Sequence, residues 1–491
     1  MTGCSTETRP HRFDCGRTRR EFLWELGGGF TGLALIDLLS RDGFFSQCAG
    51  ASESTGSVNP LTPKTPHFAA RAKRVIYFFM AGGPSHVDTF DPKPALTKFD
   101  GTSYRGPLKV GSNCGNIGKL MQSQFSFRKH GQGGLEISSI YPHLARHADD
   151  LCVIRSMHTD TAAHGAGHLQ MNTGSPVVGR PCLGSWVTYG LGSESEDLPS
   201  FVVMTDQRGG PPASASNWSA GYMPAAYQGT LFRSKGTPLL NLATPKGTSE
   251  RTQRHVLDLL GRFNQQHLDS RPGESELVGR IHSYELAYRM QTAAAEVVDV
   301  QSVGARTRSD YGLDNNRTAE FGRRCLIASR LLERGVRFIQ LYHGGGSMTT
   351  TWDTHRDNFG RHKRYAGETD QPIAALIQDL KNSGLWEDTL LIWGGEFGRT
   401  PTSEGGGGRD HNHYGFSTWL AGGGIRGGRA VGATDELGFE AVERPCHVSE
   451  LHATILHLMG LDHELLTYFY GGADQRLTGV QPREVIHEVL A

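Results

Sequence analysis

The sequence predicts a doubly wound α/β fold, a mainly parallel sheet with helices on both faces. Three observations predict it. Short apolar runs, too brief for helices, recur along the chain between turn signals. Helical patterns lie between them. Polar clusters rich in Asp, Glu and His follow almost every run directly. A run that is apolar at every position, with no alternation, reads as a strand buried on both faces. Strand and helix in alternation imply parallel pairing through crossovers.

The runs are Arg74–Met80, Leu151–Arg155, Phe201–Met204, Val336–Tyr342 and Thr389–Trp393. The clearest helical pattern spans Thr318 to Arg334, with Phe321, Cys325, Leu326, Leu331 and Leu332 as its apolar positions. A second runs from Gln371 to Asn382, with Ile373, Leu376, Ile377 and Leu380 on one face, and Gly384 follows as a C-terminal stop. A third spans Val448 to Met459. Segments 95–140 and 205–275 are Gly/Ser-rich without clear periodicity and are expected to be insertions over the sheet edge, where substrate-selecting loops sit. No internal repeat is found.

The chain has 491 residues, 37% of them apolar, which suffices for one large core. Lys plus Arg and Asp plus Glu number 50 each, a balance that argues against a nucleic-acid or acidic-membrane binder. None of the eight Cys forms a CxxC pair, so a zinc ribbon or dense disulfide framework is not expected.

The N-terminus carries Thr18-Arg19-Arg20-Glu21-Phe22-Leu23-Trp24, a mildly apolar stretch from Gly27 to Leu39, and Ala49-Gly50-Ala51. Basic, apolar and then small is the order of a secretory signal, and the Arg pair resembles the twin-arginine type. The expected organisation is a signal peptide over 1–51, a Ser/Thr/Pro-rich linker over 52–70, and a single domain over 71–491. The implied location is periplasmic or extracellular, with the twin-arginine translocation machinery as a partner. The apolar stretch is too short for a permanent membrane span.

Five polar clusters could carry chemistry: Gly82 to Pro94; His158 to His168; His343 to Ser347 with Trp352 to Asn358; Trp393-Gly394-Gly395-Glu396-Phe397-Gly398-Arg399-Thr400-Pro401; and Gly408-Arg409-Asp410-His411-Asn412-His413. In an open parallel sheet the ligand crevice lies beyond the carboxyl ends of the strands. Carboxylate and imidazole together suit a divalent cation. Single Asp/His motifs usually cap turns, but five at strand ends point to a metal site. Asp91-Pro92-Lys93-Pro94 reads as a turn, Trp352 as packing, and Gly405–Gly408 as a flexible run without the Lys-Ser/Thr of a phosphate loop. His447, His452, His457 and His463 read as structural.

Together, Gly-Gly-Pro-Ser-His-Val-Asp-Thr-Phe-Asp-Pro-Lys, Trp-Asp-Thr-His-Arg-Asp-Asn, Gly-Glu-Phe-Gly-Arg-Thr-Pro and Gly-Arg-Asp-His-Asn-His resemble the "domain of unknown function 1501" family, from about residue 70 to the end. That family is placed in the alkaline phosphatase/sulfatase superfamily. The resemblance implies an alkaline-phosphatase-like sheet and metal ligands at Asp88, Asp353, His355, Glu396 and His411. His164 to Gly174 resembles the sulfatase signature, with His164 in the nucleophile's place and His168 in that of the supporting Arg. Phe397 stands where the superfamily has a ligand His. His164, His168 and Arg399 are therefore the implied catalytic residues. His164 would act as a nucleophile or, preferably, as general base for a water at the metal, while His168 or Arg399 would hold non-bridging oxygens. The expected cofactor is a divalent ion, zinc or manganese, with calcium or magnesium as alternatives. The implied function is hydrolysis of sulfate or phosphate esters of small molecules or polysaccharides. The alternative is a non-catalytic, metal-stabilised binding or structural module.

Overall fold

The run Arg74–Met80 (β1) is a strand with Val75 to Met80 buried, and its side chains divide by parity. Val75, Tyr77 and Phe79 enter one core, Ile76, Phe78 and Met80 the other. A strand flanked by two cores has no polar face to show, which is why its sequence does not alternate. The structure is a computed structural model; it describes residues 59–104, 118–233, 239, 249–270 and 275–491. The leader, residues 52–58 of the linker and Cys114 lie outside the described residues.

The other strands of the main sheet are β2 (Leu151–His158), β3 (Phe201–Met204), β4 (Thr230–Leu231), β5 (Phe338–His343) and β6 (Thr389–Gly394). The chain then forms a ribbon, β7 (Gly398–Arg399) with β8 (His411–Asn412), outside that sheet. It returns as β9 (Phe416–Gly422), β10 (Arg429–Val431) and β11 (Cys446–His447). The spatial order is β10-β2-β9-β6-β1-β5-β3-β4, with β11 also paired to β2. Every pairing is parallel except those of β9, which runs antiparallel between β2 and β6. β1, β2, β5 and β6 therefore point the same way and open their carboxyl ends on one edge.

Helices cover both faces. On one, α5 (Ala319–Glu333) and α6 (Asn358–Asn382) pack Phe321, Cys325, Ile373 and Leu376 against Ile76, Ile339 and Trp393. On the other, α2 (Leu183–Leu191) and α7 (Val448–Leu458) pack Trp186, Val187, Leu451 and Ile455 against Val75, Phe338 and Ile392. Each fully buried side chain of this kind contributes about 1.5–3 kcal/mol. The remaining long helices are α1 (His164–Thr173), α3 (Glu250–Asp269) and α4 (Ser275–Val298).

Several expectations need adjusting. Helix α6 begins at Asn358, not Gln371, and carries Pro372 internally. Pro372 reads from sequence as a first-turn proline, yet Phe359, His362, Tyr365 and Thr369 continue the buried face upstream. Segment 205–275 contains the whole of α3, and 95–140 contains a hairpin of Phe127–His130 with Leu135–Ser138. The end of the expected linker is not free: Lys64 N–H donates to Leu191 O and His67 N–H to Gly460 O. Cys152, Cys182, Cys325 and Cys446 are buried free thiols. Among the described residues no helix is long and apolar enough to cross a membrane.

Candidate metal centre

Beyond β1 the chain turns sharply at Gly82. Its φ is +113°, and a Cβ there would lie 2.4 Å from the Asp353 nitrogen, so only glycine lets the two loops touch. The Gly82 N–H donates to Glu396, at 2.9 and 3.1 Å from the two carboxylate oxygens. The loops after β1, β5 and β6 are thus tied together at the carboxyl edge of the sheet.

Four side chains from three segments converge there: His164, Asp353, His355 and His411. His164 opens helix α1; Asp353 and His355 lie in the loop between β5 and α6; His411 sits on β8. Their meeting point is Asp353 Oδ1. His355 Nε2 lies 3.0 Å from it, His411 Nε2 3.1 Å and His164 Nε2 3.2 Å. His355 Nε2 and His411 Nε2 are 2.9 Å apart. Phe397 walls the group, its ring 5.0 Å from that of His164 and 4.7 Å from that of His411.

The far side of each imidazole decides its proton. His411 Nδ1 is 2.7 Å from the carbonyl of Ala162, which can only accept, so Nδ1 carries the hydrogen. His164 Nδ1 faces Glu396 Oε1 at 2.6 Å, and His355 Nδ1 faces Glu404. With Nδ1 carrying the hydrogen, each ring in its neutral form would turn an Nε2 lone pair toward Asp353. Three lone pairs and a carboxylate oxygen facing one another repel; Arg399, 2.7 Å from Asp353 Oδ1, offsets part of this, and a proton on His164 or a metal ion at the centre offsets the rest. Asp353 Oδ2, moreover, is buried without a hydrogen-bond partner. Imidazoles backed at Nδ1 by carboxylate or carbonyl are the arrangement that metal-binding His adopt. The donor set, three nitrogens and one oxygen, fits a divalent ion.

The electrostatics agree. Burial would raise the Asp353 carboxyl, but hydrogen bonds from the three His and the nearby Arg399 hold it well below the usual range. Burial would lower His164, yet Asp353 and Glu396 lift it to about 9, so without a metal this ring is protonated at neutral pH, and a bound ion would take the place of its Nε2 proton. Burial and the Arg399 charge push His411 down to about 4, keeping it neutral.

Not every residue expected in the site is there. Asp88 is buried apart from the cluster, in an ion pair with Arg409. Arg409 Nε donates at 2.8 Å, and Ser85 Oγ (2.6 Å) and Asn358 Nδ2 (2.9 Å) donate as well. Its charge is already met by Arg409 and it lies outside the converging group, and sequence could not reveal that this partner stands 321 residues away. Glu396 stands one step back, bonding to His164 and lying 3.2 Å from His168 Nε2. His168 is fully buried and packs on Phe79. Arg399 spends its fork on Gly82 O, Gly83 O and Asp353 Oδ1, the last at 2.7 Å. It locks loops in place and is not aimed at a ligand. His164, expected as a catalytic group, lies among the converging side chains instead. Glu404 was missed; its only signal is the Gly405–Gly408 turn that projects it toward His355.

A cleft of about 310 Å³ opens onto His164 and Asp353, bounded also by Pro211, Ser214, Ser347 and Met348.

Residues 72–490 match the family model described as "Protein of unknown function (DUF1501)". The chain belongs to this family. No curated protein matches it in sequence. Solved structures similar to it include the lipoteichoic acid synthase LtaP from Listeria monocytogenes (10% identity, 86% of this chain and 78% of that one, TM-score 0.37). Two others are the PsFucS1 sulfatase from Pseudoalteromonas sp. (11%, 80% and 69%, 0.33) and the alkaline phosphatase from the Antarctic bacterium TAB5 (12%, 82% and 100%, 0.32). Likeness this loose transfers no site residues.

Proposed function

We propose that this DUF1501 member is an exported, metal-dependent hydrolase of sulfate or phosphate esters, its ion held by His164, Asp353, His355 and His411. The observation that carries the reading is the cleft, which gives a substrate access to His164 and Asp353. Nitrogen-rich mixed donors favour zinc or manganese over calcium or magnesium. When bound, the ion supplies Lewis acidity where charge develops on a phosphoryl or sulfuryl oxygen. The chain's own residues do the rest. Glu396 and Glu404 orient the rings of His164 and His355, while Arg399 fixes Asp353. Ser214 and Ser347 line the cleft and offer hydroxyls to substrate oxygens. Both nitrogens of His164 already face carboxylates, so water is a better attacking group than the imidazole. Export rests on the twin-arginine leader.

A different observation favours a second reading, a metal-stabilised module without turnover: position 164 holds His rather than a Ser, Thr or Cys nucleophile. Aryl sulfate, phosphate monoester and phosphate diester substrates, assayed with chelator and with zinc or manganese restored, separate the two. Chelator-sensitive turnover supports the hydrolase. Chelator-sensitive melting with no turnover supports the module.

A further inference from the structure

On the outer side of His355 lies a second group of ligand atoms, from His355, Glu404 and Asp410. His355 Nδ1 faces Glu404 Oε2 and lies 4.0 Å from Asp410 Oδ1. Among the described residues, these two carboxylates make ion pairs with His355 alone, which already serves Asp353. Asp410 is the independent witness. Its side chain is 8% exposed. Oδ1 accepts from the His411 N–H at 2.7 Å, whereas Oδ2 is buried without any hydrogen-bond partner. A buried carboxylate oxygen with nothing to bind costs several kcal/mol, so such groups are paired or hold a cation. Glu404 and His355, at 18% and 23% exposure, leave the site reachable from solvent.

We propose that His355, Glu404 and Asp410 form a second divalent-cation site, so that the imidazole of His355 stands between two ions. The proposal rests on the four-residue site already described. Binding of both ions releases the His355 ring proton to solvent. The ring then offers a lone pair at each nitrogen, Nε2 inward and Nδ1 outward, and its negative charge offsets part of the added positive charge. One nitrogen and two carboxylates suit manganese or zinc.

The test is metal stoichiometry on the full chain, stripped with chelator, titrated with Mn²⁺ and gel-filtered before elemental analysis. Two equivalents are expected for the wild type and one for Glu404→Gln/Asp410→Asn. A Mn²⁺ pair flanking one imidazole should also give an exchange-broadened electron spin resonance spectrum, which the double variant loses. The single variant Glu404→Gln, checked by circular dichroism, covers the case in which the double variant fails to fold; it should weaken the second equivalent at least tenfold. One equivalent in the wild type, lost in Asp353→Asn, overturns the second site and leaves the first standing. Two equivalents retained in the double variant also overturn it. No binding at all overturns both.

Discussion

Truncating Asp88 to alanine strands the Arg409 guanidinium. Both side chains are 0% exposed, and Arg409 Nε and Nη2 reach the Asp88 carboxylate at 2.8 and 3.3 Å. Breaking a buried ion pair by removing one partner costs roughly 3–5 kcal/mol, because the surviving charge stays buried. The unit Val58–Ala491 has about 430 residues. At roughly 2.1 cal/mol/K per residue its unfolding entropy is near 0.9 kcal/mol/K, so the melting temperature should fall by about 3–6 °C. Differential scanning calorimetry of metal-free Asp88→Ala measures this. Asp88→Ala/Arg409→Met should recover most of the loss, since neither charge remains. Elemental analysis supplies the decisive arm: Asp88→Ala should keep the full metal content of the wild type. A variant that melts like the wild type without metal but loses one equivalent of metal would refute the ion-pair reasoning and make Asp88 a ligand.

Further outcomes are expected. Gly82→Ala forces a Cβ to 2.4 Å from the Asp353 nitrogen at φ +113°; it should cost on the order of 2 kcal/mol or more and weaken metal binding, whereas Gly384→Ala, with open space around it, should cost strain alone; equal metal affinities in the two variants would count against the loop contact. His362 and His452 are buried and neutral. Burial, opposed by Asp88 and by the Met171 carbonyl respectively, holds each at about 4. Their folded values lie below the unfolded 6.5, so their contribution is full above pH 6.5 and lost as pH falls toward 4, by up to about 3 kcal/mol each. Denaturant titrations of His362→Gln should show a shallower loss between pH 6.5 and 4, and an unchanged slope would contradict the assignment. Metal at a hundred times its dissociation constant should stabilise the unit by about 2.7 kcal/mol, roughly 3 °C, an increment that Asp353→Asn should abolish.

How much of this was legible in sequence depended on the range of the interaction. The strands at Arg74–Met80, Phe201–Met204 and Thr389–Gly394 stand within a residue of their apolar runs, because a strand buried on both faces writes its burial locally. Strand β9 was overlooked. Its residues are as buried as the others, but it runs antiparallel, outside the strand–helix alternation that marks the parallel strands. In the site, the sequence motifs brought Asp353, His355 and His411 forward, and the structure places these three side chains together. Which acid met which base was decided by tertiary structure alone. Asp88 and Glu396 are of the same chemical type as Asp353 and also follow strands. Yet Asp88 meets Arg409 and Glu396 meets His164, across 321 and 232 residues of chain. Composition and period fix where chain is buried, since burial depends on the segment's own residues. A ligand set depends on which lone pairs remain unspent once every buried charge has found its partner, and only the packed structure determines that.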